Sequence, residues 1–325
     1  MVKIVIDMMG GDNGSKATVG GVLKFLKNVN DCEVVAVGDP EELKKLEGKC
    51  QIIPASEVVP MECSAMEAMR RKESSVYKAV SAVLSEQADA VVSAGSTGAF
   101  LSLSTLLLKK IEGISRPALI TPFPTKVDGK YVVLLDVGAS SENNANELYQ
   151  FAKMGEAYYR VVYGKDDLNT YLISNGSEEG KGTPLSREAY DLLKADPNFK
   201  GYIEGRYVFG GDADVVVFDG FTGNVFLKGS EGLAKMLGGM MKDAFTANLS
   251  SKIGWLFAKR GFKKMLDKMD YKKVGGALLL GVNAISVKAH GNSNEDSFYH
   301  SIMIAYTLAK GQVVEQIKES LQESK

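Results

Sequence analysis

Four segments place glycines beside small hydroxyl or carboxylate side chains just after a β-branched run. They are Asp7-Met8-Met9-Gly10-Gly11-Asp12, Ser93-Ala94-Gly95-Ser96-Thr97-Gly98, Asp136-Val137-Gly138-Ala139-Ser140 and Asp219-Gly220-Phe221-Thr222-Gly223-Asn224. Glycine lets backbone approach a ligand closely, and a helix start behind such a loop presents N–H donors, so each segment suits an anion. None reads G-x-x-x-x-G-K-S/T or G-x-G-x-x-G, which leaves P-loop nucleotide and dinucleotide sites unsupported. A fifth segment, Ser174 to Gly182, sets Lys181 among glycines. Lys181 reads either as a point charge for phosphate or an oxyanion, or as part of a solvated turn neutralised by Glu178 and Glu179. Near the C-terminus, His290-Gly291-Asn292-Ser293 precedes a helical pattern, placing an imidazole and several hydrogen-bonding groups at a helix start. His300, inside that pattern, reads as structural.

What is missing narrows the chemistry further. There is no G-x-S-x-G elbow and no H-E-x-x-H, and two histidines cannot build a His-rich metal site. Three cysteines, at 32, 50 and 63, fit neither a disulfide framework nor paired zinc ligands. No protein nucleophile, metal or cofactor is called for.

Loops of this kind need a sheet to hold them. Strand patterns at Lys3–Ile6, Glu33–Val37, Ala90–Ser93, Val132–Leu135, Tyr171–Ser174 and Val215–Phe218 alternate with helical patterns. The helices are expected at Ala17–Leu26, Thr97–Lys110, Ala145–Val162, Ser186–Leu193 and Thr222–Phe245. That alternation is the mark of βαβ units, and a doubly wound α/β fold with a mostly parallel sheet follows. Ligands of such sheets sit beyond the carboxyl ends of strands, so the four loops are expected to converge at one edge. With 325 residues and no repeat or linker, the chain reads as a single α/β catalytic unit, residues 1–325. A balance of 39 basic against 40 acidic residues excludes a whole-chain field for nucleic acid.

One segment departs from that balance. Ser251 to Lys273 carries eight Lys or Arg against two Asp. On a helical projection Trp255, Ala258, Phe262, Met265, Leu266 and Met269 share one face, opposite Arg260, Lys263, Lys264, Asp267 and Lys268. Residues 246–275 are therefore expected to protrude as an amphipathic segment lying on anionic membrane, with the stripe entering lipid and Leu256 and Phe257 pointing elsewhere. The rival explanation is packing in a dimer. Gly254 and Gly261 are expected to divide the segment into two short helices. Nothing approaches the about 18 apolar residues of a membrane span, and no secretory leader is evident, so a cytoplasmic, peripherally membrane-associated protein is expected.

In order along the chain, these segments resemble the phosphate acyltransferase family of bacterial phospholipid synthesis, PlsX. The carrying stretches are IDMMGGD, SEVVPMECSAMEAMRRKESS, VSAGSTGA, LLDVGAS, QFAKMG, NGSEEGKG, IEGR, VVVFDGFTGNVFLK, LLLGVN and KAHGNSN. The resemblance implies a homodimer with a fold like that of phosphotransacetylases and the isocitrate and isopropylmalate dehydrogenases. It also implies transfer of an acyl group from acyl carrier protein to inorganic phosphate, giving acyl phosphate for phospholipid synthesis, with no cofactor. Phosphate is itself an anionic nucleophile, so a protein nucleophile becomes unnecessary.

On that reading Lys181, Asp219, Asn224 and His290 are the catalytic candidates, with Asp219 orienting Lys181 or assisting the leaving thiolate. Gly10, Gly11, Asp12, Gly95, Ser96, Thr97, Gly98, Asp136, Gly138, Thr222, Gly223, Gly291, Asn292 and Ser293 are the substrate-binding candidates. Lys181 and the His290 loop are expected to share the phosphate. Arg70, Arg71 and Lys72, or the basic stretch Lys259 to Lys273, are candidates for docking the acidic carrier. The chain departs from the family pattern at Asp12-Asn13-Gly14-Ser15, at Ser96 and Ser140 where asparagine is usual, and at Glu295-Asp296, whose carboxylates would repel a phosphate they faced. Two other functions stand beside the first: a phosphotransacetylase-like enzyme using acyl coenzyme A, and a non-catalytic membrane-associated scaffold.

Overall fold

Runs such as Ile4-Val5-Ile6 are apolar at every position and so need cover on both faces of their sheet, which the structure supplies. The computed structural model describes residues 1–269 and 276–322, with the backbone alone over 264–269. The first half of the chain gives β1 Val2–Asp7, α1 Gly14–Asn28, β2 Cys32–Gly38, β3 Gln51–Pro54, α2 Ala65–Arg70, α3 Ser75–Ser85, β4 Ala90–Ser93, α4 Thr97–Leu108, β5 Ala118–Pro124, β6 Tyr131–Leu135 and α5 Ala145–Tyr163. The second half gives β7 Thr170–Ser174, α6 Pro184–Leu193, β8 Phe199–Glu204, β9 Val215–Val217, α7 Gly220–Thr246, α8 Leu249–Met269, β10 Ala277–Leu280, β11 Ile285–Lys288, α9 Glu295–Lys310 and α10 Val313–Gln322.

The strands form one sheet in the order β3-β2-β1-β4-β11-β10-β5-β6-β9-β7-β8. Pairing is parallel except at its centre, where β10 runs antiparallel to both β11 and β5, and β5 antiparallel to β6. Ile4, Ile6, Val133 and Leu135 face a core shared by α1, α5 and α9, and this layer spans both halves of the sheet. On the opposite face the core is split. Val5 and Val91 pack with α3 and α4, while Val132, Val216 and Phe218 form a separate cluster. Leu101 and Ala139 pack against both. The fold is the doubly wound α/β arrangement expected, with a mostly parallel sheet.

Two expectations change. β5 has no counterpart among the strand patterns; it holds Pro122 and Pro124, yet it pairs along its length. Beyond Ile120 its neighbour β10 has ended, and prolines two residues apart turn their missing N–H to the same side, so one open side accommodates both. α8 is one continuous helix through Gly254 and Gly261 rather than two short ones. The glycines cost about 1 kcal/mol each relative to alanine, and contacts between α8 and α7 offset this. Asp270 to Lys273 of the basic stretch, and the side chains of Lys264, Met265, Leu266, Asp267, Lys268 and Met269, lie outside the described residues.

Candidate active site

The three antiparallel steps at the centre of the sheet reverse its direction, so the loops gather in two clusters rather than at one edge. β1, β4 and β11 run together, and their carboxyl ends carry the loops at Gly10, Gly95 and His290. β6, β9 and β7 run the other way and carry the loops at Gly138, Asp219 and Lys181. Four strands separate β11 from β7, on the order of 20 Å across the sheet at the usual strand spacing. Lys181 and the His290 loop therefore belong to different clusters, which corrects the expectation that they share one phosphate.

In the first cluster the loops are sewn together. Asp12 N–H donates to Gly291 C=O at 2.7 Å, and Asn13 Nδ2 donates to Ser293 C=O at 2.9 Å. Gly10 lies so close to the next loop that a Cβ would come 2.5 Å from Gly95 N, which demands glycine. Ser96 caps α4 through Ala99 N–H, Thr97 and Gly98 are exposed in its first turn, and that turn contains no acid. His290 is half-buried, Gly291 partly so, and Asn292 exposed. His300 lies in α9, edge-on to Tyr299.

Beneath these loops lie two charged groups that the motif reading passed over. Asp7 is fully buried and accepts from Ser93 Oγ at 2.6 Å and from Met9 N–H at 3.2 Å. Burial raises its carboxyl above the ordinary range, against the hydrogen bonds of Ser93, Ser75, Met9 and Gly10. Lys288 is 5% exposed, and its Nζ donates to Ala94 C=O at 3.3 Å and to Ala289 C=O. Burial pulls its ammonium down to about 8, partly offset by Asp7 and Asp12. Both residues end apolar strands, and a charge there was the available signal.

The carboxylates of α9 divide. Asp296 turns to Lys24 at 2.6 Å. Glu295 lies over Gly20 and borders an open hollow of about 920 Å³ with Asp12, Glu42, Lys16 and Lys45. This acidic side of the cluster is unsuited to phosphate, whereas the start of α4 is not so encumbered.

The second cluster is organised by Asp136, which is fully buried. Its Oδ1 accepts from the N–H groups of Leu119, Gly138 and Ala139 at 2.9 to 3.0 Å, and its Oδ2 from Ser140 N–H and Oγ at 3.0 and 2.7 Å. Five bonds make Asp136 the frame of its loop rather than a group facing ligand. Asn143, also missed in the sequence, ties this loop to the next by accepting from Gly220 N–H at 2.9 Å. A Cβ on Gly223 would come 1.9 Å from Asp136 C=O, so α7 starts against the loop. Asn224 lies beside Gly138. Asp219 caps α7: Oδ1 accepts from Thr222 N–H at 2.9 Å and Oδ2 from Thr222 Oγ1 at 2.7 Å. Both oxygens of Asp219 thus serve its own helix. Lys181 is exposed in the loop before α6, where Asn175 Oδ1 accepts from Gly182 N–H at 3.1 Å. Ser174, Asn175, Gly182, Thr183, Asp219 and Thr222 edge a cavity of about 360 Å³.

The membrane-facing stripe is also corrected. Trp255 and Phe262 turn inward to Phe245 of α7, with ring centroids 5.1 and 4.7 Å away. Among the described side chains of α8, the large apolar residues left outward are Leu249, Ile253, Leu256 and Phe257, the last 85% exposed. Two large aromatic rings gain most by burial against a third, which leaves the shorter arc of the helix outside.

A model of the fatty acid synthesis protein family matches residues 2–316. A phosphate acyltransferase of Staphylococcus aureus (strain bovine RF122 / ET3-1) is 39% identical over 327 residues, covering 100% of this chain and 99% of the relative. Among solved structures, a phosphotransacetylase from Streptococcus pyogenes has a TM-score of 0.61 at 18% identity, covering 97% of this chain and 94% of that one. The EutD phosphotransacetylase from Staphylococcus aureus has a TM-score of 0.59 at 18% identity, covering 95% and 94%. These two share the fold.

Proposed function

The chain belongs to the phosphate acyltransferase family, and from that premise we propose that it moves an acyl group from an acyl carrier protein thioester to inorganic phosphate. A phosphate oxygen attacks the thioester carbonyl carbon, the tetrahedral oxyanion collapses, the C–S bond breaks, and the departing thiolate takes up a proton. The observation that carries this reading is the commitment of the loop hydroxyls. Ser93 donates to Asp7, Ser140 to Asp136 and Thr222 to Asp219, while Ser96 and Thr183 cap helices. A covalent route through any of these five would dismantle the loop it holds, which supports a nucleophile brought by substrate. Both reactants meet at the second cluster, where Lys181, its exposed cation, holds the phosphate. Asn224, near the start of α7, faces the thioester and its developing oxyanion.

Further partners rest on surfaces. Arg70 and Lys72 are exposed, whereas Arg71 is held by Glu57 and Glu67 at 2.6 and 2.5 Å, so the first two receive the acidic carrier. Leu233, Met236, Leu237 and Met240 form an exposed apolar stripe on α7 that fits a second copy of the chain. The outward residues of α8, flanked by exposed Lys252, Lys259, Arg260 and Lys263, rest on the anionic inner face of a membrane. No helix among the described residues is long and apolar enough to cross one.

The deciding assay is acyl phosphate formation from purified protein and phosphate with palmitoyl carrier protein, palmitoyl coenzyme A or acetyl coenzyme A as donor. The expected order of kcat/KM places the carrier-bound donor first. Preference for acetyl coenzyme A would make the protein phosphotransacetylase-like. No product from any donor would leave the scaffold reading.

A further inference from the structure

The cavity of about 360 Å³ beside Lys181 is unlike the rest of the site. Its floor is made by Leu148 of α5, Leu172 of β7 and Val217 of β9, all buried, with half-buried Leu185 of α6 as a wall. The polar side chains around it are already engaged with one another or with nearby backbone. Thr183 Oγ1 accepts from Ser186 N–H at 3.2 Å, Ser186 Oγ donates to Thr183 C=O at 3.1 Å, and Asn175 and Asp219 are bonded as described above. Among the described residues no cation lines the cavity, and the one charge on its lining is the Asp219 carboxylate. An anion gains nothing by entering. A hydrocarbon chain does, at about 0.8 kcal/mol per methylene buried.

We propose that this cavity receives the acyl chain of the donor, entering past Asp219 and Thr222 so that the thioester stops at the first turn of α7, and that its volume sets the chain length the protein favours. The inference rests on the acyl-transfer reading above and adds to it the identity of the pocket and its capacity. An apolar cavity of about 150 Å³ takes the six carbons of benzene, so one of about 360 Å³ takes on the order of fourteen. Each methylene up to that length strengthens binding about fourfold, and those beyond it add little.

The test is binding of acyl-pantetheine thioesters, from butanoyl to octadecanoyl, in the absence of phosphate, so that no turnover is needed. Affinity is expected to rise about fourfold per methylene and to level off near tetradecanoyl. Leu185→Trp, which fills the cavity from α6, should move the plateau to shorter chains and cut the tetradecanoyl-to-butanoyl affinity ratio at least tenfold. Leu185→Phe, a milder change on α6, should do so in smaller measure and guards against misfolding of the first variant. A profile independent of chain length, or a plateau unmoved in both folded variants, overturns the pocket assignment. Chain-dependent binding without acyl phosphate formation in the donor assay would keep the pocket and overturn the reaction.

Discussion

Lys288 carries its charge where water scarcely reaches. Its ammonium ties together the loops after β4 and β11 by donating to Ala94 and Ala289, and burial lowers it to about 8. An unfolded lysine titrates near 10.4, so above about pH 8 the unfolded chain holds a proton that the folded one has released. Stability should therefore rise with pH from about 8 to 10.4, by on the order of 3 kcal/mol. Asp7 acts on the acid side. Its raised carboxyl contributes stability that is present below the ordinary carboxylate value and is lost as pH rises through the folded value. Urea unfolding of the native chain and of Lys288→Met across the alkaline range checks the first effect. The variant should lose most of the rise. An equal rise in both would place its source in other groups.

The α7–α8 hairpin shows how an element can be legible while its orientation is not. The amphipathic pattern from Trp255 onward marks the helix, but two kinds of neighbour compete for its apolar arc, and pattern alone does not say which is satisfied inside the chain. Phe245 decides it by drawing Trp255 and Phe262 inward. Leu256→Glu with Phe257→Glu should thus abolish co-sedimentation with phosphatidylglycerol vesicles while leaving the Tm within a few degrees, because both side chains are exposed. Undiminished sedimentation would remove α8 as the contact. The same gap between pattern and placement ran through the site. Every glycine loop was legible, because strand ends followed by glycine and hydroxyl groups are chemically conspicuous. Their division into two clusters was not, since it depends on β5, disguised by its prolines, and on β10 and β11, each four residues long. Asp7 and Lys288 were hidden because their importance comes from burial, which no local spacing reports.

At the scale of the molecule, the exposed stripe Leu233, Met236, Leu237 and Met240 is more apolar surface than one helix normally leaves to solvent. Light scattering should give twice the 35.0 kDa chain mass, and Leu233→Asp with Leu237→Asp should halve it. A wild-type monomer would refute the dimer. The strand order carries a different consequence, for how the chain is made. β4 ends at Ser93 and meets its neighbour β11 only at Ile285–Lys288, while α1 packs on α9. During synthesis the first half of the sheet must wait for almost two hundred further residues before that edge is closed and that helix covered, although β1, β2 and β4 can already pair. At about 5 to 20 residues per second the wait lasts on the order of ten seconds or more, during which an open parallel edge is exposed to other chains. β10 and β11, which begin the reversal of the sheet, are thus also the last strands to arrive, and the nascent chain's dependence on protection against edge pairing ends when β11 slots in beside β4.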